Sequence, residues 1–174
     1  MTSSRYRIEP LGDHHDRAAF SCGVEALDRY FHRQVRQDVR RKVAAAFVLY
    51  DSESERVAGY YTLSASSLEP SQLPEDIVRR LPYYRDFPAI LIGRLAVAES
   101  YQGEGFGRRL LSNALERSLE QSHQIGAMMV VVDAKDDAAR RFYERYDFER
   151  FVTEPYRLFL PMQRIAQLVR GSET

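Results

Sequence analysis

The sequence predicts a mixed α/β fold with helices on both faces of one sheet, and three observations carry that expectation. Apolar runs rich in β-formers, AAAFVLYD, RVAGYYTLSASSL, AILIGRLAV and AMMVVVDA, alternate with segments of helical period. A cluster of glycines stands where one such run gives way to a helix, in YQGEGFGRRLL from Tyr101 to Leu111. With 174 residues, 44% of them hydrophobic, and neither repeats nor long linkers, the chain is expected to be one domain, 1–174.

Taken in order, FSCGVEALDRYF reads as a turn at Cys22-Gly23 and a helix running from about Val24 to Arg41. AAAFVLYD and RVAGYYTLSASSL, separated by the polar SESE, read as a hairpin. PSQLPEDIVRRLPYYRDFP is punctuated by prolines and is expected to hold one short helix between loops. AILIGRLAV has the length and branching of a strand buried on both faces. From Arg108 onward Leu110, Leu111, Ala114, Leu115, Ser118 and Leu119 repeat at helical spacing, with Gly126 as a stop beyond them. AMMVVVDA is a second buried strand, Asp136 or Asp137 caps the helix DDAARRFYERY, and RLFLPM closes the sheet.

Charge and cysteine usage bound the function. Twenty-five basic residues balance 25 acidic ones, so net charge selects no partner, but its distribution is uneven. RYFHRQVRQDVRRK, from Arg29 to Lys42, carries six Lys or Arg against one Asp. On one helix Arg29, Arg33, Arg36 and Arg40 form a stripe opposite Leu27, Tyr30, Phe31 and Val35. Such a stripe is either a solvated face or a footprint for RNA or another polyanion. The lone Cys22 has no disulfide partner and reads as a small buried residue. There is no apolar stretch of membrane-spanning length and no secretion-type N-terminus, so a cytoplasmic protein without membrane contact is expected. His14, His15, His32 and His123 are scattered without ligand spacing or a matching carboxylate set, and no metal site is expected.

A glycine inside a helix costs about 1 kcal/mol relative to alanine, so Gly103, Gly105 and Gly107 point to a ligand close to the backbone. A strand that ends in a glycine loop and opens a helix aims unpaired N–H groups at an anion such as a pyrophosphate. Gln102 can hydrogen-bond from this loop and Arg108 can pair with a phosphate oxygen. A Walker loop needs Lys-Ser/Thr after its last glycine, where this chain has Arg108-Arg109. A dinucleotide fingerprint needs another glycine spacing, early in the chain.

The remaining pattern, Gln/Arg-x-x-Gly-x-Gly/Ala, is met by Gln102, Gly105 and Gly107 after LIGRLAV, with RRLLSNAL, VVVDA and AARRFYERYDF following. In these motifs the chain resembles the GNAT acetyltransferase superfamily, whose members hold the pyrophosphate of acetyl-coenzyme A on that loop. FSCGVEALDRYF, GYYTLSASSLEP and RLFLPM extend the likeness from Phe20 to Met162, specifically to the GNAT toxins of type II toxin–antitoxin modules, which acetylate aminoacyl-tRNA and stop translation. The resemblance implies a mostly antiparallel mixed sheet with a splayed central strand pair. It also implies a homodimer and a ribbon-helix-helix antitoxin that reaches operator DNA. One departure is Asp147, where relatives usually have glycine; a left-handed helix end, which Asp tolerates, is expected there.

By the same resemblance the backbone of Leu95, Ala96 and Val97 meets the pantetheine arm and thioester and stabilises the oxyanion, while residues Gln102, Gly103, Glu104, Gly105, Phe106, Gly107 and Arg108 hold the pyrophosphate. Phe142 belongs to the cofactor set, and Tyr143 is the implied general acid for the departing thiolate; its spacing beside Phe142 and Tyr146 also fits a core aromatic. No strong base stands out, Glu99 and His123 both reading as ordinary surface. An α-amine, with a pKa of about 7.7–8.0, is substantially neutral near pH 7.4, whereas a lysine amine at about 10.4 is not. Aminoacyl-tRNA therefore suits such a site, with Arg29, Arg33, Arg36, Arg40, Arg79, Arg80 and Arg85 as phosphate contacts. A protein N-terminus, a polyamine or another small amine is the alternative substrate, and a non-catalytic co-repressor acting with its antitoxin is the alternative class.

Overall fold

The computed structural model describes residues 4–172, with seven strands in one sheet ordered β1-β2-β3-β4-β5-β7-β6. By contact density the chain forms two compact units, one reaching to Ser64 and including Gly93–Ala114, the other made of Ala65–Ile92 and the chain from Leu115 onward. Strands β3 (Arg56–Leu68) and β4 (Phe87–Val97) and helix α4 (Phe106–Ser122) each contribute to both.

In the first unit β1 (Tyr6–Pro10) pairs antiparallel with β2 (Ala45–Asp51), which pairs antiparallel with β3 across the predicted hairpin. Two short helices, α1 (Glu25–Arg33) and α2 (Val35–Arg40), replace the single helix expected from Val24 to Arg41. Arg17 explains the break, because its Nη1 donates to the carbonyls of Phe31 (3.3 Å) and His32 (3.0 Å), the acceptors a continuous helix would use. Gln34 between them stays in the right-handed helical region, but its φ is stretched to −117°. Behind α1 the rings of Phe20, Phe31 and Tyr60 pack, with Phe31 stacked on Tyr60 at 4.4 Å. Cys22 is buried, as expected, and Gly23 makes the predicted turn at φ +89°.

The second unit holds β5 (Met129–Asp133), α5 (Asp137–Glu144), β6 (Glu149–Arg150), β7 (Arg157–Pro161) and α6 (Met162–Ser172). Within it Ala89–Ile92 of β4 pair parallel with Met129–Val132 of β5, and β4 continues five residues further, to Val97. β5 and β6 both pair antiparallel with β7. The core gathers Leu68, Leu73, Phe87, Met129, Val131, Phe151 and Phe159. The proline-punctuated stretch holds the expected short helix, α3 (Glu75–Val78), preceded by a 3₁₀ turn at Pro70–Gln72. Asp136 caps α5, its carboxylate accepting from the Ala139 N–H at 2.8 Å. Asp147 takes the left-handed conformation at φ 71°, and its carboxylate accepts two hydrogen bonds from Arg164.

Gly59 of β3 sets how close the backbone of β4 can come. A Cβ there would lie 2.8 Å from the Ala96 carbonyl oxygen and 2.7 Å from Leu110 Cδ1. Gly59→Ala is therefore expected to cost about 1–3 kcal/mol, since a backbone oxygen cannot swing aside. Thermal melts will check it, each kcal/mol lowering Tm by about 2–4 °C in a chain of this size.

Candidate active site

The strand–loop–helix junction is built entirely in the first unit. After β4 a 3₁₀ turn, Glu99–Tyr101, leads into the glycine loop and α4. Three anchors hold the loop. Tyr101 donates its hydroxyl hydrogen to the buried Asp51 carboxylate at 2.6 Å. The Gln102 amide donates to the carbonyls of Cys22 and Val97, both at 3.0 Å, so this side chain pins the loop to its own strand. Phe106 is buried, with its ring centroid 4.8 Å from that of Tyr6 and 5.9 Å from that of Tyr101.

Between these anchors Gly103 and Gly105 adopt φ of +82° and +83°, where a side chain is strained. No protein atom lies within 4 Å of where their Cβ atoms would stand, so backbone conformation and open space, not internal crowding, demand glycine. Gly107 is already the second residue of α4. Among the described residues the N–H groups of Gly103, Gly105, Phe106, Gly107 and Arg108 meet no protein acceptor. They form a cradle of donors at a helix N-terminus over open space, which fits a diphosphate. Glu104 and Arg108 are exposed at its rim. Arg109 is committed elsewhere, donating to the Tyr6 carbonyl at 3.1 Å, while Arg108 has no acceptor among the described residues.

Leu95, Ala96 and Val97 are the last residues of β4 and lead straight into this turn. Just before them stands Arg94, which the sequence reading passed over inside an apolar run. Its guanidinium carbon lies 3.5 Å from the centre of the Tyr30 ring. Tyr30 in turn donates its hydroxyl hydrogen to Asp38 at 2.8 Å; burial first, then this carboxylate, push its phenol up to about 12. A lone charge in AILIGRLAV was the signal available in the sequence.

In the second unit Phe142 and Tyr143 lie on α5, their ring centroids 5.2 Å apart. The Tyr143 ring is buried, and burial, with the charge of Asp133, pushes its phenol well above the ordinary tyrosine range. Its hydroxyl has no hydrogen-bond partner among the described residues.

All seven arginines expected to meet phosphates are exposed. Arg29 is paired with Glu25, Arg36 with Asp13 at 2.9 Å and Arg79 with Glu75 at 3.6 Å. The break at Gln34 divides the stripe between two helices, leaving Arg33 and Arg40 without acidic partners among the described residues. Glu99 is tied to Ser21, whose hydroxyl donates to it at 3.3 Å, and His123 is exposed.

The histidines are not all scattered. His14 and His15 converge on Glu9, at 3.3 and 2.7 Å, a grouping that sequence spacing hid because β1 had not been recognised. Burial opposes the charge of Glu9, but hydrogen bonds from Arg7, His15 and His14 hold its pKa down at about 2. His15 Nδ1 accepts from the Gly12 N–H at 2.9 Å, so the proton sits on Nε2 and is donated to the Glu9 carboxylate. With that proton in place Nε2 has no lone pair for a metal.

A donor cradle of this kind, between a strand and the helix that follows it, fits a diphosphate-bearing ligand. Residues 43–150 match the acetyltransferase (GNAT) domain, and the chain belongs to that family. A tRNA-acetylating toxin of Mycobacterium tuberculosis (strain ATCC 25618 / H37Rv) is 33% identical over 159 residues, 91% of this chain and 93% of that protein. The structure of AtaT complexed with acetyl-methionyl-tRNAfMet superposes with a TM-score of 0.87 at 31% identity, covering 94% of this chain and 99% of that one. A tyrosine-to-phenylalanine mutant of AtaT bound to the C-terminus of the antitoxin AtaR and acetyl-CoA gives 0.81 at 29% identity, covering 95% and 99%.

Gly105→Ala tests the cradle. A Cβ there would project into the open space above the cradle and obstruct a ligand, so coenzyme A affinity measured by calorimetry is expected to fall about tenfold, while the left-handed strain of about 1–2 kcal/mol lowers Tm by a few degrees. Unchanged affinity in the folded variant would remove the loop from carrier binding.

Proposed function

We propose that this chain is an acetyl-CoA-dependent N-acetyltransferase toxin that acetylates the α-amine of aminoacyl-tRNA and so blocks translation. The observation that carries this reading is the preformed cradle of N–H groups over Gly103 and Gly105 in a GNAT domain. Full-length likeness to a tRNA-acetylating toxin and to AtaT with an acetylated tRNA favours this substrate over a protein N-terminus or a small amine. The exposed arginines favour it too, since they would repel a cationic polyamine. A free phenol on α5 argues against a non-catalytic co-repressor.

In this mechanism the amides from Gly103 to Arg108 hold the diphosphate, and the backbone of Leu95, Ala96 and Val97 holds the pantetheine arm and donates to the developing oxyanion. Acetyl-CoA would supply an acetyl group activated as a thioester. The acceptor amine, already neutral in large part, bonds to the acyl carbon as the C–S bond breaks. Tyr143 gives its proton to the sulfur and regains one from the nitrogen, so protons balance without a separate strong base. Phe142 packs beside Tyr143 and belongs to the carrier-binding set. Arg29, Arg33, Arg36, Arg40, Arg79, Arg80 and Arg85 neutralise tRNA phosphates. The chain acts in the cytoplasm as a single-domain protomer of a homodimer, and a ribbon-helix-helix antitoxin neutralises it and links it to operator DNA.

Labelled acetyl-CoA, incubated with charged tRNA, stripped tRNA and a peptide panel, will transfer label to charged tRNA alone. Label on peptides instead would move the substrate. Tyr143→Phe is expected to lower kcat at least a hundredfold and relieve growth arrest, with acetyl-CoA affinity unchanged. A variant that remains toxic would take the phenol out of the mechanism.

The pH dependence follows from the direction of the Tyr143 shift. A raised phenol pKa extends the protonated, donating form to higher pH, so the enzyme imposes no descending limb below about pH 10. Rates on an alkali-stable, amide-linked aminoacyl-RNA are expected to rise as the amine deprotonates through about pH 7–8 and then level off.

A further inference from the structure

Arg94 differs from the other half-buried arginine of its unit in having nothing to donate to. Arg17 commits its guanidinium to the Phe31 and His32 carbonyls. Arg94 is partly withdrawn from water, lies on the Tyr30 ring at 3.5 Å, and makes no hydrogen bond or ion pair among the described residues. Nearby carboxylates are already engaged, Asp28 by the Cys22 N–H at 2.8 Å and Asp38 by Tyr30 and Gln34. A guanidinium carries five donors in a planar fork; stacking on a ring fixes the plane and leaves the edge free for a bidentate acceptor. Removing such a group from water without a partner is costly, so it is poised for a ligand's anion.

Which anion follows from its place in the chain, on the reading given under Proposed function. The carrier's diphosphate is assigned to the cradle after β4, and its thioester to Leu95–Val97, the residues directly following Arg94. The group arriving beside that thioester is the acceptor amine, esterified to the ribose of a terminal nucleotide. The nearest negative charge on that substrate is the same nucleotide's 5′-phosphate. We propose that Arg94 is a substrate-recognition residue that binds this terminal phosphate, so that the enzyme measures the span from anion to amine and selects aminoacyl-nucleotides over free amino acid esters.

The test compares aminoacyl-adenosine with and without a 5′-phosphate, each linked through an amide, as acceptors for wild type, Arg94→Gln and Arg94→Lys. Wild type is expected to favour the phosphorylated acceptor by about 10- to 100-fold in kcat/KM, mainly through KM, as a charge-assisted contact implies. Arg94→Gln is expected to erase that preference by losing activity only on the phosphorylated form, with acetyl-CoA affinity unchanged; Arg94→Lys is expected to keep part of it. Equal wild-type rates on the two acceptors would overturn the inference while leaving the acetyltransferase reading intact. Equal losses by Arg94→Gln on both acceptors would overturn it too, and if that variant does not fold, Arg94→Lys decides, a loss confined to the phosphorylated acceptor upholding the inference and an equal loss on both overturning it. Transfer to neither acceptor nor to charged tRNA would instead refute the proposed function.

Discussion

Asp51 sits at the end of β2 with its side chain withdrawn from solvent, and four neighbours satisfy it. Arg5 donates from Nε and Nη2 at 2.9 and 3.0 Å, Ser54 and Tyr101 from their hydroxyls at 2.8 and 2.6 Å, and Glu53 from its backbone at 3.1 Å. The Arg5 bond, opposed by burial and reinforced by the hydroxyls, keeps this carboxyl far below its usual range. Because the folded form has the lower pKa, the stabilisation is present above the unfolded value, near 3.9, and drains away only as acid protonates the folded group. Tyr101 transmits this constraint to the loop. With its phenol fixed at one end and Phe106 buried at the other, Gly103 and Gly105 hold a left-handed backbone between two anchors of the protein's own. Binding to such a loop therefore carries little cost of ordering.

What could be read from the residues alone was whatever local pattern dictates. β4, the glycine loop and α4 follow each other in the chain as a branched apolar run, a cluster of flexible residues and a helical repeat, and each is where its pattern indicates. Asp136 before Ala139 is a capping spacing, and Asp147 stands where a helix must end in a left-handed residue. The motif residues of the junction are contiguous, so one local reading spans the whole of it.

Missing were the features that exist only through distant partners. β1 has five residues with little alternation and is a strand because it pairs with β2 forty residues on. β6 spans two residues, and α6 begins directly after Pro161, where the sequence reads as the end of a strand. Nothing in VRQDVRR foretells that Arg17 will take the carbonyls at the end of α1. Asp51 beside SESE looks like surface until Arg5 and Tyr101 meet it from 46 and 50 residues away. His15 finds Glu9 only once β1 turns the chain back. Arg94 belongs to the same class, because its isolation depends on Tyr30 of α1 and on where Asp28 and Asp38 are spent.

Gly59 presses its bare Cα against the carbonyl of Ala96 from the neighbouring strand. The strand proposed to hold the thioester thus has one flank that tolerates no added atom. Drift of that strand is limited from this flank, by a residue outside the groups proposed to hold donor and acceptor. Divergent copies of this enzyme can be silenced there without any change in the groups that perform the reaction.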